Sequence, residues 1–511
     1  MNAIRQRDRR RGSALLLILV MMPLFLVPLI GLAIDGTMLY MVQAKLSAAV
    51  DGAALGAGRL LGTNANTEEI AGEFLNVNFP AHYWNSADVV PNIHATTTLG
   101  SHTIDVGASV QVPLMFMRVL GTSSSIVTAH ATVTRRDTRV VLVLDRSGSM
   151  DTTDPVSGLN VFTTMKTSAK QFVGMFTPGT DELGLVVYSG SGIVAYPTTR
   201  PWDPSPSGSG GPNAGFATSP TAGPMFTQIN AMSAGGGTNM SEALQLAYIE
   251  LQKTHNRDLA ANSVDNTLNA IVLFTDGVPT GFSVHPNDAS ALPGSNALKS
   301  TSSCTYNPEN GTASTHMRGY IVTSGAVPNA SSTLFGLYLL SAFDTSQTLT
   351  YFLGHPTYDQ THPNPSTAVS GCASLNAGTG LSDLAKFPPK DFWGTSTDGT
   401  AFNYARVYNG TGYSATTING YHLALAAWNV TDNAGRTIRT QTGMNPVAIY
   451  TIGYTGNGGT DAALLKRLAN TQDSSSYDPS QQTGKYIPVN SADQLSAAFT
   501  EVASELLRLA K

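Results

Sequence analysis

The sequence predicts an α/β protein: a doubly wound, mainly parallel sheet with a large insertion, preceded by a transmembrane helix and a small α+β domain. Three observations point there. Near-continuous apolar runs such as "VVLVLD" (140–145) and "AIVLFTD" (270–276) alternate with helical stretches, as strands covered on both faces do. An uncharged run of 22 residues, 13–34, follows a cluster of arginines. Between 102 and 134 the hydrophobic period falls to two. A chain of 511 residues also exceeds one ordinary core, so several domains are expected.

The N-terminal "RQRDRRRG" sets five arginines, Arg5, Arg7, Arg9, Arg10 and Arg11, against Asp8. The run "SALLLILVMMPLFLVPLIGLAI" then spans about 33 Å as a helix, enough for a bilayer core. Pro23 and Pro28 are tolerated in a membrane helix. Arginines ahead of the span keep the N-terminus cytoplasmic. A cleaved signal ending near Gly31 and Ala33 is the competing reading. Its apolar core would be only about 7–15 residues, so the length favours a retained anchor. The expected topology is a single pass, with residues 1–12 cytoplasmic, 13–35 spanning and the bulk exported.

Residues 36–62 place Leu39, Val42, Leu46, Ala49, Ala53 and Leu60 near helical spacing, and 65–79 read as a shorter helix. In "HTIDVGASVQV" Ile104, Val106, Ala108, Val110 and Val112 alternate with polar residues, and "VTAHATVT" repeats the pattern. Both predict half-buried antiparallel strands, with His130 on the solvated face. Residues 36–136 therefore read as a helix-plus-sheet domain.

The doubly wound domain covers 137–282 and 419–511, around an inserted region, 283–418, for which no fold is legible. Its strands are 140–145, 183–189, 192–198, 270–276 and 447–454, with 192–198 as an antiparallel edge. Met165, Ala169, Phe172, Val173 and Phe176 share one helix face, and Met240, Ala243, Leu244, Ala247 and Leu251 another. Residues 200–224 read as a Pro/Gly/Ser-rich loop. Ser491 and Gln494 have capping-box spacing before a stripe of Leu495, Phe499, Val502 and Leu506.

Charged residues are only 12% and the net charge is −5, which gives no footprint for nucleic acid. Two cysteines, Cys304 and Cys372, are too few for a disulfide scaffold or a cysteine zinc site. With export, elimination pairs them with each other, closing a long loop for about 4 kcal/mol of unfolded-state constraint.

Asp145, Ser147 and Ser149 follow the first buried strand. Thr238 follows three glycines at the head of a helix, and Asp276 ends another buried strand. Ligands of open α/β sheets bind at these C-terminal strand edges. All five side chains offer hard oxygen donors, which suit Mg²⁺, Mn²⁺ or Ca²⁺ and not soft metals. A purely structural use as turn and capping groups is the competing reading.

D-x-S-x-S, a glycine-preceded Thr and a later strand-end Asp resemble the metal-ion-dependent adhesion site of von Willebrand factor type A domains. The resemblance implies that Ser147 and Ser149 bind the ion directly and Thr238 joins in the ligand-ready state. Asp145 and Asp276 then act mainly through waters. An ion held by neutral hydroxyls still seeks an anionic oxygen, such as an Asp or Glu of a protein partner. The basic stretch ending in Gly12, "LAIDGTMLY" and "LSAAVDGAALGAG" resemble the N-terminus of TadE/TadG-like proteins of Flp (Tad) pilus assembly. Class III prepilins carry a glutamate five residues after the cleavage glycine, where this chain has Leu17. The resemblance, with this departure, implies an uncleaved anchor in a bacterial inner membrane with the bulk of the chain periplasmic.

No Walker-type loop, H-E-x-x-H helix or G-x-S-x-G elbow is present, so no enzyme is expected. The leading expectation is a membrane-anchored assembly protein that holds pilus or envelope components through a divalent cation. The alternatives are a surface or pilus-tip adhesin and, more weakly, a metal-bridge subunit of an enzyme complex.

Overall fold

The computed structural model describes residues 6–63, 65–98, 100–177, 180–197, 224–261, 265–284, 319–324, 333–339, 348–356, 390–399, 420–457 and 459–510. The proposed Cys304–Cys372 bridge and most of the 200–224 loop lie outside them. The chain divides into two compact units between Arg135 and Arg136.

In the first unit one helix, α1 (Gln6–Gly58), runs unbroken through Pro23 and Pro28. The expected membrane and juxtamembrane helices are thus a single element. Its stretch Pro28–Gly58 is apolar and long enough to cross a membrane. From Val42 onward one face of α1 is buried: Val42, Leu46, Ala49 and Ala53 pack with Leu75 of α2 (Thr67–Asn78). Asn66 caps α2, its Oδ1 accepting from Glu69 N–H at 3.3 Å. Helix α1 stops at Gly58, and Leu60 falls in the turn beyond it, half-buried. The sheet has three strands, β1 (Val90–Thr98), β2 (Ser101–Pro113) and β3 (Ser124–Arg136), with β2 central. Strand β1 has no apolar alternation, and only Ile93 is partly covered. It forms because β2 offers it a register from Ser101 to Ser109. His130 is exposed, 3.8 Å from Asp105.

The second unit is built on a six-stranded sheet. In chain order its elements are β4 (Thr138–Asp145), α3 (Val161–Val173), β5 (Glu182–Tyr188), β6 (Gly192–Tyr196), α4 (Pro224–Ala231), α5 (Met240–Ala261) and β7 (Leu268–Thr275). Three short elements follow, β8 (Gly281–Val284), β9 (Gly319–Ser324) and β10 (Thr333–Leu339), then α6 (Leu349–Gly354). The unit closes with α7 (Gly420–Thr440), β11 (Val447–Tyr454), α8 (Ala462–Leu468), β12 (Tyr486–Val489) and α9 (Leu495–Leu509). The sheet order is β12-β11-β7-β4-β5-β6. All pairings are parallel except β5–β6, the expected antiparallel edge. The far edge, β12, is only four residues with a proline, too little for a sequence pattern.

Every residue of β4 is buried. Val140, Leu142 and Leu144 face α3 and α9, while Val141 and Val143 face α5, α7 and α8. Two-sided coverage is why these strands read as continuous apolar runs. Ser491 does not cap the last helix. Its hydroxyl donates to Asp154 at 3.0 Å and also to Asp493, and the helix starts through a 3₁₀ turn at Ala492–Gln494. Instead, Gln494 Oε1 accepts from Asn490 N–H at 3.1 Å.

The region expected as an unassigned insertion supplies β9, β10 and α6. Strand β9 pairs antiparallel with β8 on one side and β10 on the other. Tyr320 and Ile321 of β9 are fully buried, so these parts of the insertion belong to the second unit's core.

Candidate metal site

Strand β4 lies between β7 and β5, so the chain winds outward from it in both directions. The crevice at the C-terminal ends of β4 and β7 is therefore a topological switch point. Asp145 closes β4, and Asp276 follows β7 directly. Ser147 and Ser149 sit in the turn after β4, and Thr238 stands two residues ahead of α5. The five residues expected from the sequence thus converge on one edge.

Four of the five are joined by hydrogen bonds, from Asp145 through Ser147 and Ser149 to Asp276. Ser147 Oγ and Ser149 Oγ are 3.1 Å apart, and Ser149 Oγ donates to Asp276 Oδ1 at 2.7 Å. Asp145 Oδ1 accepts from Ser147 N–H at 2.7 Å, which holds the turn against the strand end. A Cβ placed on Gly277 would lie 3.7 Å from Ser149 Oγ and 3.8 Å from Thr238 Oγ1. These two hydroxyls therefore border one small space that a glycine keeps clear.

Residues the motif did not reveal complete the frame. Thr275 Oγ1 donates to Asp145 Oδ2 at 2.7 Å. Asn457, beyond the end of β11, donates to Asp276 Oδ2 at 3.0 Å. Thr280 Oγ1 accepts from Thr238 N–H at 2.8 Å, and Thr280 N–H returns a bond to Thr238 O at 2.9 Å. The Gly-rich "YTGNGGT" after a buried strand was the signal for Asn457. Thr275 was legible only as strand.

Backbone bonds lock the loops together: Gly148 N–H donates to Gly236 O at 3.0 Å, and Gly235 N–H to Arg146 O at 2.8 Å. Gly236 adopts a positive φ of +82°, which favours glycine, while Gly148 lies in a 3₁₀ turn. At Gly237 the demand is space, because a Cβ there would strike the Tyr320 hydroxyl. Parts of the insertion also reach these loops. Arg146 Nη1 donates to Phe352 O at 2.7 Å and Leu353 O at 2.9 Å, and Ser189 Oγ donates to Pro356 O at 3.1 Å.

Both carboxylates are fully buried. Burial pushes Asp145 up, against hydrogen bonds from Thr275 and Ser147. Burial and the neighbouring charge of Asp145 push Asp276 up to about 7, against bonds from Ser149 and Asn457. Among the described residues no Lys, Arg or His pairs with either. Nor do three His, Cys, Asp or Glu side chains cluster there as a metal-ligating group. The donor set is two carboxylates and three hydroxyls around a space left by a glycine. It fits a hard divalent cation and does not fit a soft one.

Residues 140–278 match the family model described as von Willebrand factor type A domain. The chain carries a von Willebrand factor type A domain. That domain stands behind an N-terminal region, residues 12–60, that matches the putative Flp pilus-assembly TadE/G-like model. No curated protein matches the chain.

Among solved structures, the chain is similar to the pilus adhesin SpaC from Lactobacillus rhamnosus GG at 15% identity and a TM-score of 0.32. That match covers 83% of this chain but 35% of SpaC, so the chain spans about a third of that protein's length. It is similar to the PilB minor pilin from Streptococcus sanguinis at 12% identity, covering 84% of this chain and 80% of that one, with a TM-score of 0.32. For the vWF domain of the type V pili tip protein Mfa5 from Porphyromonas gingivalis the values are 17%, 74%, 97% and 0.32.

Proposed function

We propose that this protein is a membrane-anchored component of Flp/Tad pilus assembly that grips a protein partner through a divalent cation at its von Willebrand factor type A domain. The carrying observation is the convergence of Asp145, Ser147, Ser149, Thr238 and Asp276 at one sheet edge with no paired cationic side chain among the described residues. Ser147, Ser149 and Thr238 would hold the ion, Mg²⁺ first, and Asp145 and Asp276 would balance its charge. Three neutral ligands leave the ion electron-poor, so it attracts a carboxylate from the partner, an Asp or Glu of a pilus or envelope component. The apolar helix α1 keeps the domain at the inner membrane, with its bulk on the periplasmic side.

The test is recovery of partners by the full chain solubilised from membranes, with Mg²⁺ or with chelator. A partner held in Mg²⁺, released by chelator and lost in Asp145→Ala is the expected result. Equal recovery in all three removes the cation bridge. Labelling of intact cells with an impermeant reagent separates assembly from adhesion: protection fits an assembly role, and labelling fits a surface adhesin.

A further inference from the structure

The first unit holds a set of apolar residues that its core does not use. Leu29, Ile30, Leu32 and Ile34 of α1 are exposed, Leu32 at 55%. Beside them, the turn after β2 exposes Met115 at 69% and Phe116 at 37%, and Trp84 stands out at 49%. Among them Ile30, Ile34, Trp84 and Met115, with Met38, line an open groove of about 1010 Å³.

The groove is placed by one contact. Gly31 is buried under Phe116, whose side chain occupies the space a Cβ on Gly31 would need. Gly31 is four residues before Asp35, so the turn reaches about 6 Å back along the helix, alongside the uncharged run. If 13–34 crosses the bilayer, Phe116 and Met115 lie at the depth of its outer boundary.

A turn at that depth needs its backbone donors satisfied by protein, because water is scarce there. Asp35 does this. Its carboxylate accepts from Met115 N–H at 3.0 Å, Phe116 N–H at 3.0 Å and Met117 N–H at 2.8 Å. Arg118, in the next turn, is exposed and borders the same groove. A long cationic side chain beside apolar ones is the arrangement that places its head among phosphates. Tryptophan at such a boundary is the usual interfacial anchor.

We infer that Met115, Phe116 and Trp84 form an interfacial foot that inserts into the outer boundary of the phospholipid bilayer beside α1, with Asp35 satisfying the inserted turn and Arg118 facing the lipid phosphates. The occupant of the groove is lipid, because one wall is the helix that continues into the span. The foot holds the first unit at the membrane surface instead of leaving it on a free stalk.

The inference rests on the membrane-anchor part of the proposed function, and two readouts keep them apart. The full chain is reconstituted into vesicles of phosphatidylethanolamine and phosphatidylglycerol, and flotation reports the anchor. Tryptophan emission is then read with brominated lipids. Helix α1 contains no tryptophan, so quenching reports the folded part of the chain. The expected result is quenching in the native chain, most of it lost in Trp84→Phe. Restoring one indole at an exposed α2 position, as Val77→Trp in the Trp84→Phe chain, should not restore it. Chains that float but show no quenching, or quenching unchanged by Trp84→Phe, overturn the foot while leaving the anchor standing. A partner helix in the groove would give that same absence of quenching.

Discussion

Strand β7 has an aspartate near each end, and the two sit in opposite surroundings. Asp265 lies three residues before the strand, beside the buried Arg139 of β4. Arg139 Nη1 donates to Asp265 at 2.5 Å and Nε to Glu182 at 3.0 Å, and Nη2 pairs with Asp258. Arg257 adds contacts of 2.7 Å to both Glu182 and Asp258, and His255 Nδ1 lies 2.7 Å from Asp265. Burial pushes Asp265 up, but bonds from Thr267, Arg139 and His255 outweigh it and bring it down to about 2. Asp276, at the other end, has Ser149 and Asn457 as partners and stands at about 7. One edge of the sheet brings its own cations to its buried acids. The other supplies only neutral donors, and buried carboxylates without a cation are costly. Under the proposed function, the Asp276 edge, the upper one, takes its positive charge from outside, whereas the Asp265 edge, the lower one, supplies its own.

The largest effect should come from breaking the lower edge. Arg139→Met leaves Glu182, Asp258 and Asp265 around an uncharged side chain. A loss of about 3–5 kcal/mol is expected, read from the urea midpoint. A loss under about 1 kcal/mol would show that the lower cluster is not held by its arginine.

At the upper edge the effect should depend on added cation. Saturating Mg²⁺ at about a hundred times Kd should stabilise the full chain by about 2.7 kcal/mol. Asp276→Asn should abolish that response while leaving the metal-free protein as stable or more so, since the substitution removes a buried charge facing Asp145. Melting with Mg²⁺ and with chelator checks both arms. A variant that loses stability without Mg²⁺ would contradict the contrast between the two edges.

Acid should act mainly on the lower edge. Asp265 is depressed from an ordinary 3.8 to about 2, so the folded state binds fewer protons than the unfolded one between those values. Its stabilising contribution is complete above about pH 4 and disappears as pH falls towards 2. Asp265→Asn should flatten the acid limb of the stability curve in that window. An unchanged limb would remove Asp265 from the account.

The smallest effect is at Asn457. Asn457→Ala removes one hydrogen bond to Asp276, worth about 1 kcal/mol, so cation affinity should shift by about five-fold. Calorimetric titration of the variant reads it, and a shift beyond a hundred-fold would make Asn457 a ligand in its own right.

The upper edge was legible in the sequence because its signals are local. Asp145, Ser147 and Ser149 fall within five residues, and Thr238 and Asp276 stand beside a helix start and a strand end. The lower edge was not, because Arg139, Glu182, Asp258 and Asp265 are scattered over 127 positions and share no spacing. The strands followed the same logic. Strands β4, β5, β7 and β11 are buried on both sides and wrote continuous apolar runs. Strand β1 is almost wholly exposed, and β12 contains Pro488. Their pairing comes from neighbours, so neither left a pattern. Ser491 has the spacing of a cap, but Asp154 and Asp493 take its hydroxyl.

Calorimetric titration of Mg²⁺ into the full chain in detergent, set beside Ser149→Ala, tests the upper edge most directly. Ser149 Oγ touches both Ser147 and Asp276, so its loss should remove the ion without opening the core. The expected result is saturable binding of one ion per chain, lost in the variant. No binding to the native chain, or equal binding to both, would contradict the assignment of this edge as a metal site.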